Sequence, residues 1–347
     1  MKKIGIITIY DENNYGNRLQ NYAVQEVLKS MNFDVETIKN INLVNGENYL
    51  KRAENVLPSR REKFLKFNEE NMNNTSEVIF HSEIDQDFHK KYDYFVIGSD
   101  QIWNYNFKDR FSDAVFASFA PIEKRISFSA SFGISDVPEE NYNLYNGLKE
   151  MKAISVRENA GASIVKEITG RDDAVVLIDP TMMLSPEKWT SIMKKPEQLK
   201  NKKYILKYFL GNFSEEKQKE IEKFALENDC EIVDVLDEKS FYATGPSEFL
   251  YLIKNAYLVI TDSFHSCVFS ILFNTPFLIY ERDQVRMNNM YSRIDTLLDT
   301  FQLNSRKFNG KIDKTQLNVD YRHVDSILLK EQLKAKEFLK QALNFEA

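Results

Sequence analysis

The chain alternates short apolar runs with longer segments in which apolar residues recur every three or four positions. The apolar run Lys3–Tyr10, the helical pattern Arg18–Met31 and the run Phe33–Ile38 predict a β-α-β unit within the first forty residues. A helical crossover of this kind joins parallel strands. Four further strands are predicted at Tyr94–Ile97, Arg125–Ser131, Ala153–Val156 and Val175–Ile178.

A second alternating series follows a helix start at Ser185-Pro186-Glu187, where serine is the cap and proline occupies the first turn. Its predicted elements are strand Tyr204–Leu210, helix Glu215–Asn228, strand Glu231–Leu236, helix Ser247–Asn255, strand Tyr257–Ile260, helix Phe264–Phe273 and strand Phe277–Tyr280. Two such series predict an α/β protein with two parallel-sheet domains, residues 1–185 and 186–325, and a C-terminal helix over 326–347. The polar segment 45–91 is predicted to be a helical insertion in the first domain.

Composition and charge narrow the class of protein. The 347 residues are 43% hydrophobic and 28% charged, with a formal net charge of −6, which argues against a nucleic-acid partner held mainly by electrostatics. Two cysteines, Cys230 and Cys267, cannot form a disulfide framework and suit a reducing compartment. The N-terminal apolar stretch is too short for a signal peptide, and no window approaches the roughly 18 apolar residues of a membrane span. We therefore expect a soluble, cytoplasmic protein.

The sequence does not favour a metal or a resident cofactor. His81, His89 and His323 lack metal-ligand spacing to one another and to the cysteines. Neither G-x-G-x-x-G nor G-x-x-x-x-G-K-[ST] occurs, and the chain has only 11 glycines. A bound phosphate would therefore have to be held by helix ends and arginines rather than by a glycine loop.

Polar side chains cluster where predicted strands end, which is where parallel α/β sheets bind their ligands. Two such loops offer groups suited to sugar hydroxyls: Asn14, Tyr15, Asn17 and Arg18 after the first strand, and Ser99, Asp100, Gln101 and Trp103 after Tyr94–Ile97. Asp100 can accept a proton from a hydroxyl, and Trp103 offers an apolar face to a sugar ring. The alternatives are an Asn-rich turn with Gly16 at positive φ, and a helix cap with a core tryptophan.

An arginine follows the next predicted strand. Arg157 comes directly after Ala153–Val156, and its planar guanidinium matches a carboxylate or phosphate. The alternative is a surface ion pair between Arg157 and Glu158. More positive charge follows Phe277–Tyr280, although each of these arginines taken singly is interpreted as a solvated surface charge: Arg282, Arg286 and Arg293.

A histidine lies at the joint between a buried strand and a helix. His265 falls in the first turn after Tyr257–Ile260, where a cap at Asp262 or Ser263 would leave N–H groups and the positive helix end facing the cleft. His265 can donate to a phosphate there or transfer a proton near neutral pH. The alternative is a histidine packed in the core. Cys267, two residues later, is interpreted as a small core residue.

Six segments resemble, in this order, the polysaccharide pyruvyl transferase family: "NYGNRLQNYA", "VIGSDQIWN", "SVRE", "DPT", "GPSEFLYLIKNAYLVITDSFHS" and "PFLIYER". The resemblance implies a GT-B-like fold, with two Rossmann-like domains facing across a cleft. It also implies an enzyme that moves the pyruvyl group of phosphoenolpyruvate onto two hydroxyls of a sugar, forming a cyclic ketal and releasing phosphate. Acceptors in the family are sugars of bacterial capsules, exopolysaccharides and secondary cell-wall polymers. They are often lipid-linked, which would bring the protein to the inner face of the membrane.

The resemblance also implies roles for the candidate residues. His265 is predicted to protonate the enol methylene or contact the phosphate, and Asp100 to act as base for the attacking hydroxyl. The two sugar-suited loops would bind the acceptor. The predicted donor-binding residues are Arg157, Asp262, Ser263, His265 and Arg293.

The chain departs from the family pattern at one point. Better-known branches have R-L-H where this chain has Ser263-Phe264-His265, so Arg282, Arg286 or Arg293 would have to supply the missing charge. Two alternatives to the pyruvyltransferase therefore stay open. One is a GT-B glycosyltransferase with a nucleotide-sugar donor, for which Glu248 is the candidate ribose-binding carboxylate. The other is a binding protein without activity. The acceptor sugar and the oligomeric state also stay open.

Overall fold

The structure is a computed structural model that describes residues 1–10, 12–41, 57–76, 79–80, 84, 87–107, 112–282 and 291–345. Arg286 and much of the predicted insertion 45–91 lie outside these ranges. The described part of that insertion contains a 14-residue helix, Pro58–Asn71.

The first half of the chain is built on parallel strands. Its strands are β1 Lys3–Ile7, β2 Asp34–Thr37, β3 Asn40–Ile41, β4 Ile79–Phe80, β5 Tyr94–Ile97, β6 Arg125–Ser127, β7 Ser155–Val156 and β8 Val175–Val176. The main sheet has the order β2-β1-β5-β6, and β3 pairs with β4 separately. Parallel bridges from Ile126 to Ala153 and from Ala130 to Val156 attach the β7-β8 pair beside β6. Its α-helices are α1 Tyr15–Ser30, α2 Pro58–Asn71 and α3 Asn159–Thr169, and the short helix α4 Pro186–Thr190 opens the second half.

The second half contains a four-stranded parallel sheet of order β10-β9-β11-β12. Its strands are β9 Tyr204–Tyr208, β10 Glu231–Asp234, β11 Leu258–Thr261 and β12 Phe277–Ile279. Its helices are α5 Glu215–Glu227, α6 Pro246–Lys254, α7 Phe264–Leu272, α8 Ser292–Thr300 and α9 Val324–Ala342. Short 3₁₀ helices lie at Phe88–Lys91, Asp113–Phe116, Ile122–Lys124, Glu139–Glu150, Pro180–Met183, Asn304–Arg306 and Lys314–Leu317. Within the described ranges, no helix is long and apolar enough to cross a membrane.

Strand order reverses at one point in each sheet, between β1 and β5 in the first and between β9 and β11 in the second. The crevice at the carboxyl ends of such strands is the usual ligand position in open α/β sheets. The two crevices face each other, because Asp179 beyond β8 lies 3.5 Å from His265 at the start of α7. The fold therefore brings the predicted strand-end residues of both halves to one place.

The two halves share a continuous apolar core beside this place. The Tyr15 ring at the start of α1 stacks on Phe249 of α6 at a centroid distance of 4.1 Å, and its hydroxyl donates to the Thr244 carbonyl. Arg60 of α2 is buried and donates to the Tyr242 carbonyl at 2.9 Å and to the Tyr15 hydroxyl at 2.7 Å. The inserted helix α2 is thus an anchor between the halves.

Some element boundaries differ from prediction. Helix α1 begins three residues earlier than predicted, because the Asn14 side chain accepts the Asn17 N–H and caps it. The predicted strand Arg125–Ser131 ends at Ser127, because Ser129 adopts a left-handed φ of 54°. The C-terminal helix α9 packs back on the first sheet, where Leu339 joins the core that contains Ile4.

Candidate active site at the facing sheet ends

A buried cluster of charged groups lies where the two sheets face each other. Arg157 and Asp179 come from the ends of β7 and β8, Asp100 from the loop after β5, and His265 from the first turn of α7. Each is less than 9% exposed. Charged groups are rarely buried unless they are paired or serve a function, so this cluster is the candidate active site.

Arg157 is the centre of the cluster. Its Nη1 donates to Asp179 Oδ2 at 2.6 Å and to Ser99 Oγ at 3.3 Å, and its guanidinium lies 4.3 Å from the centroid of the Phe264 ring. Asp100 Oδ1 is 3.8 Å from Nη2, which is an ion pair beyond hydrogen-bond distance. Within the described ranges, Nε and Nη2 have no hydrogen-bond acceptor. These two atoms form the side-on edge of the guanidinium that binds carboxylates and phosphates in bidentate fashion.

Asp179 connects the two halves. Its Oδ1 accepts the Thr181 N–H and hydroxyl at 2.9 and 2.6 Å. Its Oδ2 accepts from Arg157 and Ser99 and faces His265 Nε2 at 3.5 Å. Burial alone would raise the pKa of Asp179, but the His265 imidazole and the Arg157 guanidinium hold that pKa well below its usual range. Asp179 is therefore an ionised carboxylate that holds the Arg157 guanidinium of the first half and faces the His265 imidazole of the second.

Asp179 had no predicted role, although it belongs to the "DPT" segment of the sequence. The available signal was a carboxylate at a strand end immediately before a proline. That signal is also produced by an ordinary helix cap, and Asp179 does cap the 3₁₀ helix Pro180–Met183. What distinguishes Asp179 is its contact with a residue of the other half, which sequence spacing does not reveal.

His265 is held against the backbone of the facing helix. A Cβ atom added to Gly16 in the first turn of α1 would lie 2.0 Å from His265 Nδ1, so the imidazole lies directly against the glycine. On its other side Nε2 faces Asp179 and makes no hydrogen bond within the described residues. Gly16 itself is helical and does not have the positive φ of the alternative turn interpretation. His265 therefore borders the charged cluster rather than packing among apolar groups alone.

Asp100 lies beside this cluster in a left-handed conformation, with a φ of 74°. Its Oδ2 accepts from Asn17 Nδ2 at 3.3 Å. Burial alone would raise the pKa of Asp100, but the charges of Arg157, His265 and Arg293 lower it. The carboxylate is thus ionised near neutral pH.

Two predicted donor-binding residues, Asp262 and Ser263, lie at the start of α7. Asp262 accepts the Leu210 and Gly211 N–H groups, each at 2.8 Å, and the Arg282 Nε at 2.6 Å. It fixes the loop after β9, and Arg282 neutralises it instead of adding charge to the cluster. Ser263 is the N-cap position of α7 but its side chain makes no capping hydrogen bond. Arg293, by contrast, is buried with its guanidinium carbon 5.7 Å from the centroid of the Phe264 ring.

Three of the predicted acceptor-binding residues are fully buried. Trp103 is fully buried and its indole N–H donates to the Val115 carbonyl, because this aromatic ring belongs to the core beside the first sheet. It presents no face to a sugar. Tyr15 is fully buried in the interface between the halves. Arg18 is also fully buried, and its guanidinium lies over the Tyr10 ring at 4.5 Å.

The other predicted acceptor residues lie nearer the cluster. Asn17 and Ser99 contact Asp100 and Arg157, respectively. Asn14 is exposed at the start of α1, and Gln101 is half-buried, where it accepts from Asn104 at 2.9 Å. Cys267 is fully buried with its thiol directed to the Ser263 carbonyl. Among the residues that the structure describes, no group of three or more potential ligands is placed to hold a metal ion.

Comparison with known proteins places this site in a family. The family model described as polysaccharide pyruvyl transferase matches residues 14–284, which span most of the chain and include every residue of the cluster named so far except Arg293. A search of curated proteins finds no significant match.

Solved structures resemble the whole chain in fold. A protein of Listeria monocytogenes described as a UDP-N-acetylglucosamine 2-epimerase covers 96% of this chain and 90% of its own, at 12% identity and a TM-score of 0.54. The S. aureus MnaA–UDP co-structure covers 100% and 98%, at 14% identity and a TM-score of 0.52. The UDP-GlcNAc 2-epimerase of Methanocaldococcus jannaschii covers 94% and 99%, at 14% identity and a TM-score of 0.52. At this identity the similarity establishes the fold, which is GT-B-like as predicted.

Proposed function

The chain belongs to the polysaccharide pyruvyl transferase family, and from that premise we propose that it transfers the pyruvyl group of phosphoenolpyruvate to two hydroxyls of one sugar. The proposed acceptor is a sugar of a bacterial capsule, exopolysaccharide or cell-wall glycan precursor, free or lipid-linked. Phosphoenolpyruvate is a co-substrate in this proposal, and no further cofactor is invoked. The proposed location is the cytoplasm, at the inner membrane face when the acceptor is lipid-linked.

The open edge of Arg157 is the observation that carries this proposal. Nε and Nη2 are buried without an acceptor in the described part of the chain. Leaving a buried donor unpaired costs about 1–3 kcal/mol, and more when the group is charged. A planar carboxylate on this edge would satisfy both atoms with two parallel hydrogen bonds. Phosphoenolpyruvate carries such a carboxylate next to the carbon that accepts the hydroxyls.

The chemistry assigns one proton to the donor and one to the leaving group. An acid delivers a proton to the methylene carbon of phosphoenolpyruvate, which leaves an oxocarbenium-like centre at the adjacent carbon. The first sugar hydroxyl attacks that carbon and releases its proton. The second hydroxyl then forms a second C–O bond while the carbon–oxygen bond to phosphate breaks, and its proton leaves with the phosphate. The proton that the base takes from the first hydroxyl replaces the one that the acid gave to the new methyl group, and the proton of the second hydroxyl is carried by phosphate.

We assign His265 as the acid and Asp100 as the base. Imidazole is the side-chain group most often used for proton transfer, and the imidazole of His265 is fixed between Gly16 and Asp179. Asp100 is ionised, as a base must be. Its pKa is lowered by the charges of Arg157 and Arg293, so it is a weak base as long as no anion is bound beside these arginines. An anionic donor among these cations would offset their charge and raise the pKa of Asp100. Donor binding would thus strengthen the base.

The nucleotide-sugar alternative is less well supported by the site. Glu248, its candidate ribose ligand, is 7% exposed and accepts from Lys63 Nζ at 2.8 Å. Lys63 lies on α2, and a Cβ atom added to Gly245 before α6 would meet its side chain at 2.8 Å. Helix α2 therefore covers the carboxylate that a ribose would need to reach.

Calorimetric titration tests the proposal. The protein is titrated with phosphoenolpyruvate, and separately with UDP and GDP, as the wild type and as Arg157→Ala and His265→Ala. We expect binding of phosphoenolpyruvate that each substitution weakens at least about tenfold, because each removes a charge-assisted contact. Matched controls are Arg306→Ala, a buried arginine that donates to the Gln316 carbonyl, and His323→Ala, a half-buried histidine outside the cluster. Nucleotide binding without phosphoenolpyruvate binding would overturn the proposal.

A further inference from the structure

A cavity of about 150 Å³ connects the surface to the charged cluster. Residues of α3, α8 and α9 line it, together with Arg157 and Asp179 of the cluster. Asn159 and Lys334 on its wall are exposed, whereas Arg157 and Arg293 are 3% and 6% exposed. A solute that enters past Asn159 and Lys334 would therefore reach two buried guanidinium groups.

The two guanidinium groups are close to each other as well as to the cavity. Both lie over the Phe264 ring, with their carbon atoms 4.3 and 5.7 Å from its centroid. Burial and the charge of Arg157 lower the pKa of Arg293 to about 10. In the described ranges, the Arg293 Nε has no hydrogen-bond acceptor. Two buried like charges with unpaired donors are a site for an anion of more than one charge.

Other donors line the same cavity from different elements. The Thr296 hydroxyl oxygen accepts the Asn159 N–H at 3.3 Å, which leaves its own proton to donate. The Lys334 ammonium uses one N–H on the Val176 carbonyl at 2.8 Å and has two more. Donors that converge from several directions suit a tetrahedral phosphate better than a planar carboxylate.

Negative groups also line the cavity and reduce its charge. The cationic side chains of the lining are Arg157, Arg293 and Lys334. Its two carboxylates are Asp179 and Glu331. The Asp179 oxygens already accept hydrogen bonds from Arg157, Ser99 and Thr181. Its charge is therefore largely compensated inside the cluster. The carboxylates of Glu158 and Asp100 also act on Arg293, and Glu158 Oε1 already accepts from the Ser131 hydroxyl and from the Phe132 and Gly133 N–H groups.

We propose that this cavity is a phosphate subsite, in which Arg293 is the specific ligand and through which inorganic phosphate leaves. The identity of the donor rests on the proposed function, in which Arg157 takes the carboxylate of phosphoenolpyruvate while Arg293 and Thr296 take its phosphate. The presence of a phosphate subsite does not depend on that identity. A nucleotide diphosphate has the same chemistry, so the test separates the two sources.

Binding of two half-ligands, inorganic phosphate and pyruvate, tests the subsite by calorimetry or by competition. We expect Arg293→Met to weaken the binding of inorganic phosphate at least about tenfold and the binding of pyruvate less than about threefold. The reason is that the charge-assisted contact that is lost belongs to the phosphate and not to the carboxylate. Thr296→Val should weaken phosphate by about threefold to tenfold without a charge change. Arg306→Met is the matched control and should leave both affinities unchanged.

Competition with whole ligands then identifies the source of the phosphate. Displacement of bound phosphate by phosphoenolpyruvate but not by UDP supports both the subsite and the proposed donor. Displacement by UDP alone, still sensitive to Arg293→Met, supports the subsite and overturns the proposed donor. Phosphoenolpyruvate binding with unchanged phosphate affinity in a folded Arg293→Met variant overturns the subsite and leaves the proposed function standing. If that variant does not fold, the same comparison is made with Thr296→Val, where an unchanged affinity also overturns the subsite.

Discussion

Gly16 offers a direct test of how His265 is held. An added Cβ would lie 2.0 Å from Nδ1, 2.5 Å from Cγ and 2.7 Å from Cε1 of the imidazole. Non-bonded heavy atoms prefer separations of about 3.5 Å, so the ring would have to move by roughly 1.5 Å. Such a movement would change the distance from His265 Nε2 to Asp179 by an amount that matters for proton transfer.

Whether Gly16→Ala raises or lowers the free energy of unfolding shows whether residue 16 contacts His265 or is an ordinary helix position. Gly16 is helical, so replacement by alanine should by itself stabilise α1 by about 0.5–1 kcal/mol. Overpacking against His265 should cost about 1–3 kcal/mol. We therefore expect Gly16→Ala to destabilise the wild-type protein, or at best to be neutral. In the His265→Ala background the ring is absent, and the same substitution should be stabilising.

The assay is a double-mutant cycle. Free energies of unfolding are measured by urea titration for the wild type, the two single variants and the double variant, and the coupling energy should be about 1–3 kcal/mol. The control is Gly161→Ala in the first turn of α3, where an added Cβ would meet Phe132 and Val156 at 3.2 Å and no histidine. Its effect should be equal in both backgrounds. A coupling energy near zero for Gly16 would refute the contact as the means by which His265 is positioned.

Three further predictions use other residues. The pKa of Asp179 lies below the ordinary value of about 3.8, because His265 and Arg157 outweigh its burial, so its ionised form contributes stability above about pH 4 that is lost as pH falls towards the folded pKa. Acid unfolding below pH 4 should thus be steeper in the wild type than in Asp179→Asn, and equal slopes would contradict this. Trp103→Phe should lower stability by about 1–3 kcal/mol through its lost bond to Val115, with the KM for the sugar unchanged. A changed KM at unchanged stability would restore its acceptor role. Arg60→Met should lower stability by at least about 1–3 kcal/mol and accelerate proteolysis between the halves, because it leaves buried carbonyls unpaired. The control is the half-buried neighbour Arg61, whose guanidinium pairs with Glu12 of the same half. Arg61→Met should not accelerate this proteolysis, and similar digestion of the two variants would count against the anchor.

Strand positions could be predicted because parallel strands buried on both faces appear as continuous apolar runs. The runs at Tyr94–Ile97 and Phe277–Tyr280 each contain a strand of the structure. Strand ends were less accurate, because the conformation of one residue decides them. Ser129 adopts a positive φ and ends β6 early, and serine is not a residue type from which a positive φ is expected. The cap at Asn14 was visible only as one of several asparagines.

The candidate site was predictable in its position and less so in its members. Parallel strands place their carboxyl ends together, so Asp100, Arg157 and His265 could be expected at one edge. The contacts of Trp103 and Asp262 could not be predicted, because each depends on the direction in which the side chain points. In each case a polar atom found a backbone partner that no sequence spacing specifies. The role of Gly16 is equally hidden, since it consists of the space left for a residue about 250 positions away.

The division of the charged groups between the halves has a consequence for binding. The first half supplies Asp100, Arg157 and Asp179, and the second supplies His265 and Arg293. The first set carries one positive and two negative charges, so by itself it would repel an anion. The second half adds the Arg293 guanidinium, which lies over the Phe264 ring, and the His265 imidazole, which lies against Gly16 of the first half. An anion bound between Arg157 and Arg293 would contact one guanidinium from each half, so we expect binding of such an anion and packing of the halves to stabilise each other.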